Sequence, residues 1–326
     1  TQNAGADAYN VAVGYFTGKA ITTGTANTLI GGLAGDALTI GNQNTVLGYG
    51  ALSTSVDGDN NTAIGCQALE NYEDGDGNGK NTAVGSNSQS NATTGEFNTS
   101  LGSSSMGVGV TTGDHNVALG YGTGTLLTSG FSNIILGSFA GDALTAGGEN
   151  IAIGVLSLSA EDTHGKNVAV GNQALRNLNA GADGFNTAVG FSAGVAMTTG
   201  VQNTIVGSVA GDALTTGSYN TTLGYGSLSV EDTGSRNTAV GYEALKVQNV
   251  DGDAYNTAVG MWAGIDLATG LYNTLIGSLA GDNLTTGDNN IIIGYNTIVA
   301  SDIENTTIIG TTATTSALVH GLKQPV

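Results

Sequence analysis

Asn256-Thr257-Ala258-Val259-Gly260 is one copy of a phrase that the chain repeats along nearly all of its length. The same pattern, Asn-x-x-aliphatic-Gly, begins at Asn10, Asn27, Asn44, Asn61, Asn81, Asn98, Asn116, Asn133, Asn150, Asn167, Asn186, Asn203, Asn220, Asn237, Asn256, Asn273 and Asn290, seventeen starts in all. Most starts lie 17 residues apart, and a degraded copy with one extra residue runs from Asn305 to Gly310. A short fixed period sustained over hundreds of residues specifies stacked repeats, each packed on its neighbours, and not a globular domain. Positions are counted from the Asn as position 1, so the residue before it is position 0.

Each phrase is too short for a helix, rich in Val, Ile, Leu and Thr, and bounded by two turn-forming residues, which predicts a short strand. Position 4 is always large and aliphatic, as at Val13, Ile30, Leu47, Ile64, Val189, Val206, Val240, Val259 and Ile276. Positions 2 and 4 share a strand face, and the size of position 4 assigns that face to the inside of the coil. Position 3 then faces out. It too is mostly apolar, as at Ala12, Leu29, Ala63, Ile135, Ile205, Ala258 and Leu275. A strand apolar on both faces is expected to be covered on both, so position 3 is the expected contact between chains. The Asn column, including Asn10, Asn27, Asn44, Asn61, Asn186, Asn203, Asn237, Asn256 and Asn273, is expected to form corners and an amide ladder. The expected fold is all-β: a parallel β-solenoid of about 17 rungs, packed as a homotrimer. At a strand spacing of ~4.8 Å, such a rod would be on the order of 80 Å long.

Composition narrows the function. Of 326 residues, 54 are Gly and one is Pro, which fits repeated tight turns and excludes a collagen helix. The net charge is −19 with seven Lys and Arg, too few for a nucleic-acid-binding stripe and repelled by anionic membranes. The single Cys66 forms no internal disulfide, no 18-residue apolar run is present, and Thr1 does not open a signal peptide. A chain beginning without Met reads as processed or excised.

A longer period overlies the short one. Rungs with small-Gly at positions 8 and 9, such as Ala34-Gly35, alternate in pairs with rungs carrying small-Leu, such as Ala51-Leu52. Four rungs make a unit of about 70 residues, starting at Asn10, Asn116, Asn186 and Asn256, with a weakly matching half-unit from Asn81. The fourth rung of a unit is lengthened, over 72–80, 177–185 and 248–255. Such insertions are candidate binding loops. The repeat defines a rod over residues 1–310, and residues 311–326 read as a cap or a connector to a further domain.

Asn-Thr-Ala-Val-Gly, recurring at Asn61, Asn167, Asn186, Asn237 and Asn256 with close variants, resembles the repeats of trimeric autotransporter adhesin heads, over about nine-tenths of the chain. The variant Asn237-Thr238-Ala239-Val240-Gly241-Tyr242-Glu243-Ala244-Leu245 is similar to phage tail-fibre repeats that precede an endosialidase-type chaperone domain. The resemblance implies left-handed parallel β-rolls, three chains around one axis, at a bacterial cell surface or on a virion. The 17-residue rung is longer than the adhesin repeat.

Candidate chemistry is sparse. His115, His164 and His320 show no metal-ligand spacing, and no nucleophile–base pair recurs, so no enzymatic activity is expected. Asp74, Asp76 and Asn78 copy the first half of a calcium loop, but Gly85 stands where a bidentate Glu belongs. Asp57 with Asp59, and Asp251 with Asp253, are weaker versions; all three also read as acidic turns. Calcium is the one candidate cofactor. Tyr49, Tyr121, Tyr225 and Tyr242, with Tyr15 and Tyr295, follow the corner Gly and are candidate glycan contacts or covers for the corner. The expected function is an extracellular, non-catalytic fibre attaching to a surface glycan or protein receptor, with a passive shaft as the alternative. Ice binding is a third reading. Core-facing Thr at position 2, replaced at Val11, Val117, Ile134 and Ile151, counts against it.

Overall fold

The computed structural model describes residues 7–73 and 79–311. The chain divides into two units, Thr1–Phe185 and Asn186–Val326. In both, every copy of the phrase forms a three-residue strand at positions 2–4. Unit 1 holds ten: β1 (Val11–Val13), β2 (Thr28–Ile30), β3 (Thr45–Leu47), β4 (Thr62–Ile64), β5 (Thr82–Val84), β6 (Thr99–Leu101), β7 (Val117–Leu119), β8 (Ile134–Leu136), β9 (Ile151–Ile153) and β10 (Val168–Val170). Unit 2 holds eight: β11 (Thr187–Val189), β12 (Thr204–Val206), β13 (Thr221–Leu223), β14 (Thr238–Val240), β15 (Thr257–Val259), β16 (Thr274–Ile276), β17 (Ile291–Ile293) and β18 (Thr307–Ile309). Within each unit successive strands pair in parallel and in register, so that Thr257, Ala258 and Val259 lie beside Thr274, Leu275 and Ile276. The fold is an all-β parallel solenoid, with no helix among the described residues.

One coil is shaped by its turn residues. After the strand, the chain reverses through hydrogen-bonded turns at positions 5–8 and 9–12, as in Ala34 N–H to Gly31 O (3.4 Å) and Leu38 N–H to Gly35 O (3.2 Å). Positions 0, 5, 7 and 9 hold positive φ; Tyr255, Gly260, Trp262 and Gly264 are one set. At position 5 the constraint is absolute. Gly260 has φ +139°, and a Cβ there would lie 2.5 Å from the carbonyl carbon and oxygen of Gly277 in the next coil. No side chain fits between corners that close, and none but Gly adopts that backbone readily.

The inside of the coil is not where the size of position 4 placed it. Ala258 and Leu275 at position 3 are fully buried, whereas Val259 is 37% exposed and Ile276 38%. The same inversion holds for the other residues expected in the core. Val13, Ile30, Leu47 and Val189 are exposed, and Ile64, Val206 and Val240 are only half-buried. The residues expected at a chain–chain contact, Leu29, Ala63, Ile135 and Ile205, are wholly buried inside their own coil. Ala12, in β1, is exposed. The physical reason is parity. The Asn side chains are buried, 0–1% exposed from Asn27 to Asn290, and residues 1 and 3 of a strand point the same way. An inward Asn therefore turns position 3 inward and positions 2 and 4 outward.

The interior is narrow, and its residues are matched in size. Position 8 is small in every rung, and buried at Ala34, Ala140, Ala210 and Ala280. Through β16, wherever position 3 is Leu or Ile, position 9 is Gly: Leu29 with Gly35, Ile135 with Gly141, Ile205 with Gly211, Leu275 with Gly281. Where position 3 is Ala, position 9 is Leu in four rungs, Ala63 with Leu69, Ala152 with Leu158, Ala169 with Leu175 and Ala239 with Leu245, and Gly in four others. Leucine fills the space that a larger position 3 would occupy, which keeps the coil close-packed. Where both are small, as with Ala258 and Gly264, Leu275 and Leu245 reach in from the neighbouring coils. The two kinds of rung visible in the sequence are thus two solutions to one packing constraint. Position 12 completes the interior with Leu38, Leu127, Leu144, Met197, Leu214, Leu267 and Leu284, all buried.

The degraded copy forms a strand of full register, β18, paired with β17. Its extra residue shifts Thr306 into the Asn position, where its N–H donates to Asn290 Oδ1 at 3.0 Å. Residues 312–326, expected to cap or connect, lie outside the described residues.

Candidate functional site

The Asn column is a structural ladder. Asn203 Oδ1 accepts the N–H of Asn220 at 2.8 Å, while Asn203 Nδ2 donates to Gly217 O at 2.9 Å. The same pair of bonds recurs at Asn27, Asn98, Asn116, Asn133, Asn256 and Asn273. In these seven rungs each amide satisfies one backbone group in the next rung and one in its own, so nothing of it is left to face a ligand.

The outward surface of the strands is the feature with functional content. Positions 2 and 4 of all 18 strands carry no Asp, Glu, Lys or Arg. Position 4 forms an aliphatic column in each unit, and position 2 a column of Thr, Val and Ile. The flanking columns continue the pattern. Position 6 carries no charge in any rung, and includes Tyr15, Tyr49, Tyr121, Phe191, Tyr225, Tyr242 and Tyr295, all exposed. Position 0 includes Phe97, Phe185, Tyr219, Tyr255 and Tyr272. Of the 26 acidic residues, one, Glu149, lies in these four columns. Lys80, Lys166 and Arg236 lie there too, each over a ring: Phe97 at 4.8 Å, Phe185 at 5.2 Å and Tyr219 at 4.8 Å to the centroid. Within each unit the strand side is therefore apolar and faintly basic, and the acidic residues, Glu149 apart, lie elsewhere. Contiguous exposed apolar surface on this scale marks an interaction site.

Thr at position 2 faces out, with Thr45, Thr204 and Thr221 exposed. The objection to an ice-binding surface drawn from a core-facing Thr therefore falls. The interruption of the Thr column by Val117, Ile134, Ile151, Val168 and Ile291 stands.

The candidate glycan contacts Tyr49, Tyr121, Tyr225 and Tyr242 are all exposed. Tyr121 meets Phe139 edge-on at 5.2 Å. Tyr225 and Tyr242 stack at 5.4 Å with planes 12° apart, and Trp262 lies across Tyr242 at 6.1 Å and 72°. Beside these rings Glu243 accepts from Lys246 Nζ (2.8 Å) and from Trp262 Nε1 (3.0 Å). The hydrogen bond from Lys246, with smaller help from Trp262, holds the Glu243 carboxyl below the usual range.

Asp74, Asp76 and Asn78, the candidate calcium ligands, lie outside the described residues. In the weaker pairs three carboxylates have partners within the chain: Asp59 with the N–H of Asn42 (2.5 Å), Asp251 with Thr233 Oγ1 (3.0 Å), Asp253 with Arg236 Nε (3.0 Å); Asp57 Oδ1 is buried with no hydrogen-bond partner among the described residues.

Two buried acids escaped the sequence reading. Glu161 and Glu231 occupy the core position 12 and are fully buried. Glu161 accepts the N–H of His164 (3.1 Å) and of Ala180 (3.2 Å). Glu231 accepts the N–H of Gly234 (2.7 Å), Gln248 Nε2 (3.0 Å) and the N–H of Val250 (3.2 Å). Ala180 and Val250 belong to the lengthened rungs, so each Glu ties an inserted loop to the coil before it. The signal was present as Glu-Asp-Thr at 161 and 231, each one rung ahead of an insertion. Glu161, Asp162 and His164 also place ligand atoms within 4.8 Å of one another, but Glu161 already accepts backbone N–H groups at both oxygens. Burial pushes the Glu161 carboxyl up, against the hydrogen bonds from Ala180 and His164 that lower it.

No protein-family model matches the chain, and no curated protein sequence matches it. Fold and surface together define a class: a parallel β-solenoid repeat protein with an uncovered apolar strand face.

Proposed function

We propose that the chain is a non-catalytic, extracellular attachment fibre built from copies of itself, three chains with their strand faces together and their acidic sides outward. The observation that supports this is the absence of charge from positions 2 and 4 of every strand, in a chain of net charge −19. Copies repel one another everywhere except along this face, and covering it removes apolar side chains from water. Unit 1 offers 20 such side chains and unit 2 offers 16, two per strand, against about 20–30 residues a side in a standard stable interface. The contact moves from position 3, as first expected, to positions 2 and 4. Three copies, and a place at a bacterial surface or on a virion, rest on the resemblance of the Asn-Thr-Ala-Val-Gly repeats. Sedimentation equilibrium tests association: the expected mass is three times 32.2 kDa, and Val240→Lys with Val259→Lys should return the single-chain mass without loss of β structure. A wild-type chain that stays at 32.2 kDa at the highest attainable concentration overturns the proposal.

A passive shaft is the second reading, favoured by the inserted loops. They differ in sequence among 72–80, 177–185 and 248–255, and so present no repeated site. Adherence of the assembled protein to cells separates the two; assembly without adherence selects the shaft.

A further inference from the structure

We infer that Tyr225, Tyr242, Trp262, Glu243 and Lys246 form a binding site for a neutral oligosaccharide. This deepens the attachment reading without depending on self-association, since every residue belongs to one chain and one unit. In a repeat protein, side chains that the coil requires recur, and those that do not recur are available for other work. The equivalents of these five residues one super-repeat earlier are Val155, Asn172, Ser192, Gln173 and Arg176. Those rungs adopt the same coil without them; Tyr does recur at position 6 elsewhere, as at Tyr49 and Tyr121, whereas Trp262 and the Glu243–Lys246 pair recur in no other rung. Trp262 stands out further. It is the single Trp of the chain, at a positive-φ position (+59°) that holds Phe16 (φ +56°), Phe139 (φ +55°) or Ser192 (φ +53°) in other rungs. The coil forms with Ser192 at that position, so it does not require the indole.

The chemistry suits a sugar. Tyr225 is 52% exposed and Tyr242 44%, and with Trp262 they set aromatic surface on three successive rungs. The apolar C–H faces of a pyranose pack on such surface. Glu243 and Lys246, paired at 2.8 Å, hold an acceptor and a donor beside the rings, which hydroxyl groups can bridge. The pair is neutral overall, so the site itself supplies no net positive charge to hold an anionic sugar.

Trp262 is its own reporter. Full-length protein titrated with cellotriose, chitotriose, maltotriose and sialyllactose should show a saturable fluorescence change with at least one neutral trisaccharide and none with sialyllactose. Calorimetry with that trisaccharide should show binding weakened about tenfold by Tyr225→Ala, weakened by Glu243→Gln, and abolished by Trp262→Ser. The last variant carries the residue found at 192 and should keep its melting temperature and sedimentation mass. No saturable change with any neutral sugar, binding unaltered by the three variants, or binding of sialyllactose alone overturns the inference. A failure of self-association would appear in the sedimentation mass and leave these titrations unchanged.

Discussion

The side-chain oxygen of Asn203 accepts the backbone N–H of Asn220, 17 residues further on, at 2.8 Å. Its Nδ2 donates to Gly217 O. Asn237 makes only the first kind of bond, to Asn256 N–H at 3.2 Å, and its buried Nδ2 has no acceptor among the described residues. Its rung is lengthened, so that Asp251, within the insertion, stands at the offset of 14 residues where Asn203 finds Gly217. Asn203→Ala strands two buried backbone groups and should cost about 2–4 kcal/mol. Asn237→Ala strands one and should cost roughly half as much. Denaturant unfolding of the two variants measures the difference; equal costs would show that the amide donor contributes nothing.

That ladder also marks the limit of what the sequence revealed. Period, strand positions, super-repeat and all-β class were legible because each Asn and Gly recurs at a fixed offset. The direction of the strand faces was misread. Val259 looks like core by its size, but a narrow coil takes Ala258, and burial of the Asn two residues before it decides the parity. Tyr225, Tyr242 and the corner Gly before each were visible. Trp262, Glu243 and Lys246 were not, because their meeting depends on the stacking of rungs 17 and 19 residues apart.

The matched interior predicts a rescue. Ile205→Ala empties space inside β12 and should cost about 2–5 kcal/mol. Adding Gly211→Leu rebuilds the Ala239 and Leu245 combination of β14, at a backbone φ of +50° against +51°. The double variant should regain much of the loss in thermal unfolding. Additive destabilisation would show that positions 3 and 9 do not share one space.

Two glycines separate backbone strain from crowding. Gly260→Ala brings a Cβ to 2.5 Å from Gly277 backbone atoms, and the variant should not form a stable coil at that level. Gly211→Ala meets nothing closer than 3.7 Å, leaving only a left-handed backbone cost of about 1–2 kcal/mol. Circular dichroism melts of the two check this; similar melting temperatures would contradict the close approach of corners.

Glu161 gives a pH dependence of definite sign. Burial raises its folded pKa above the ordinary value of 4.5. Its contribution is therefore full below the unfolded pKa and is lost as pH rises through the folded one. Asp142, also raised by burial, acts in the same direction. Between pH 7 and pH 5 the melting temperature of the wild type should rise, and Glu161→Gln should flatten that rise. An unchanged slope in the variant would remove Glu161 as a source.

The claim that the strand face lies outside the coil and against other copies is tested most directly by thiol reactivity at one position. In a Cys66→Ser background, Val259→Cys presents a thiol where Val259 is 37% exposed in a single chain. Its alkylation rate, measured against protein concentration, should fall as the copies associate, while Asp266→Cys on the acidic side stays fast throughout. A rate at residue 259 that is fast at every concentration would contradict the covered face, and one slow even at the highest dilution would contradict its place outside the coil.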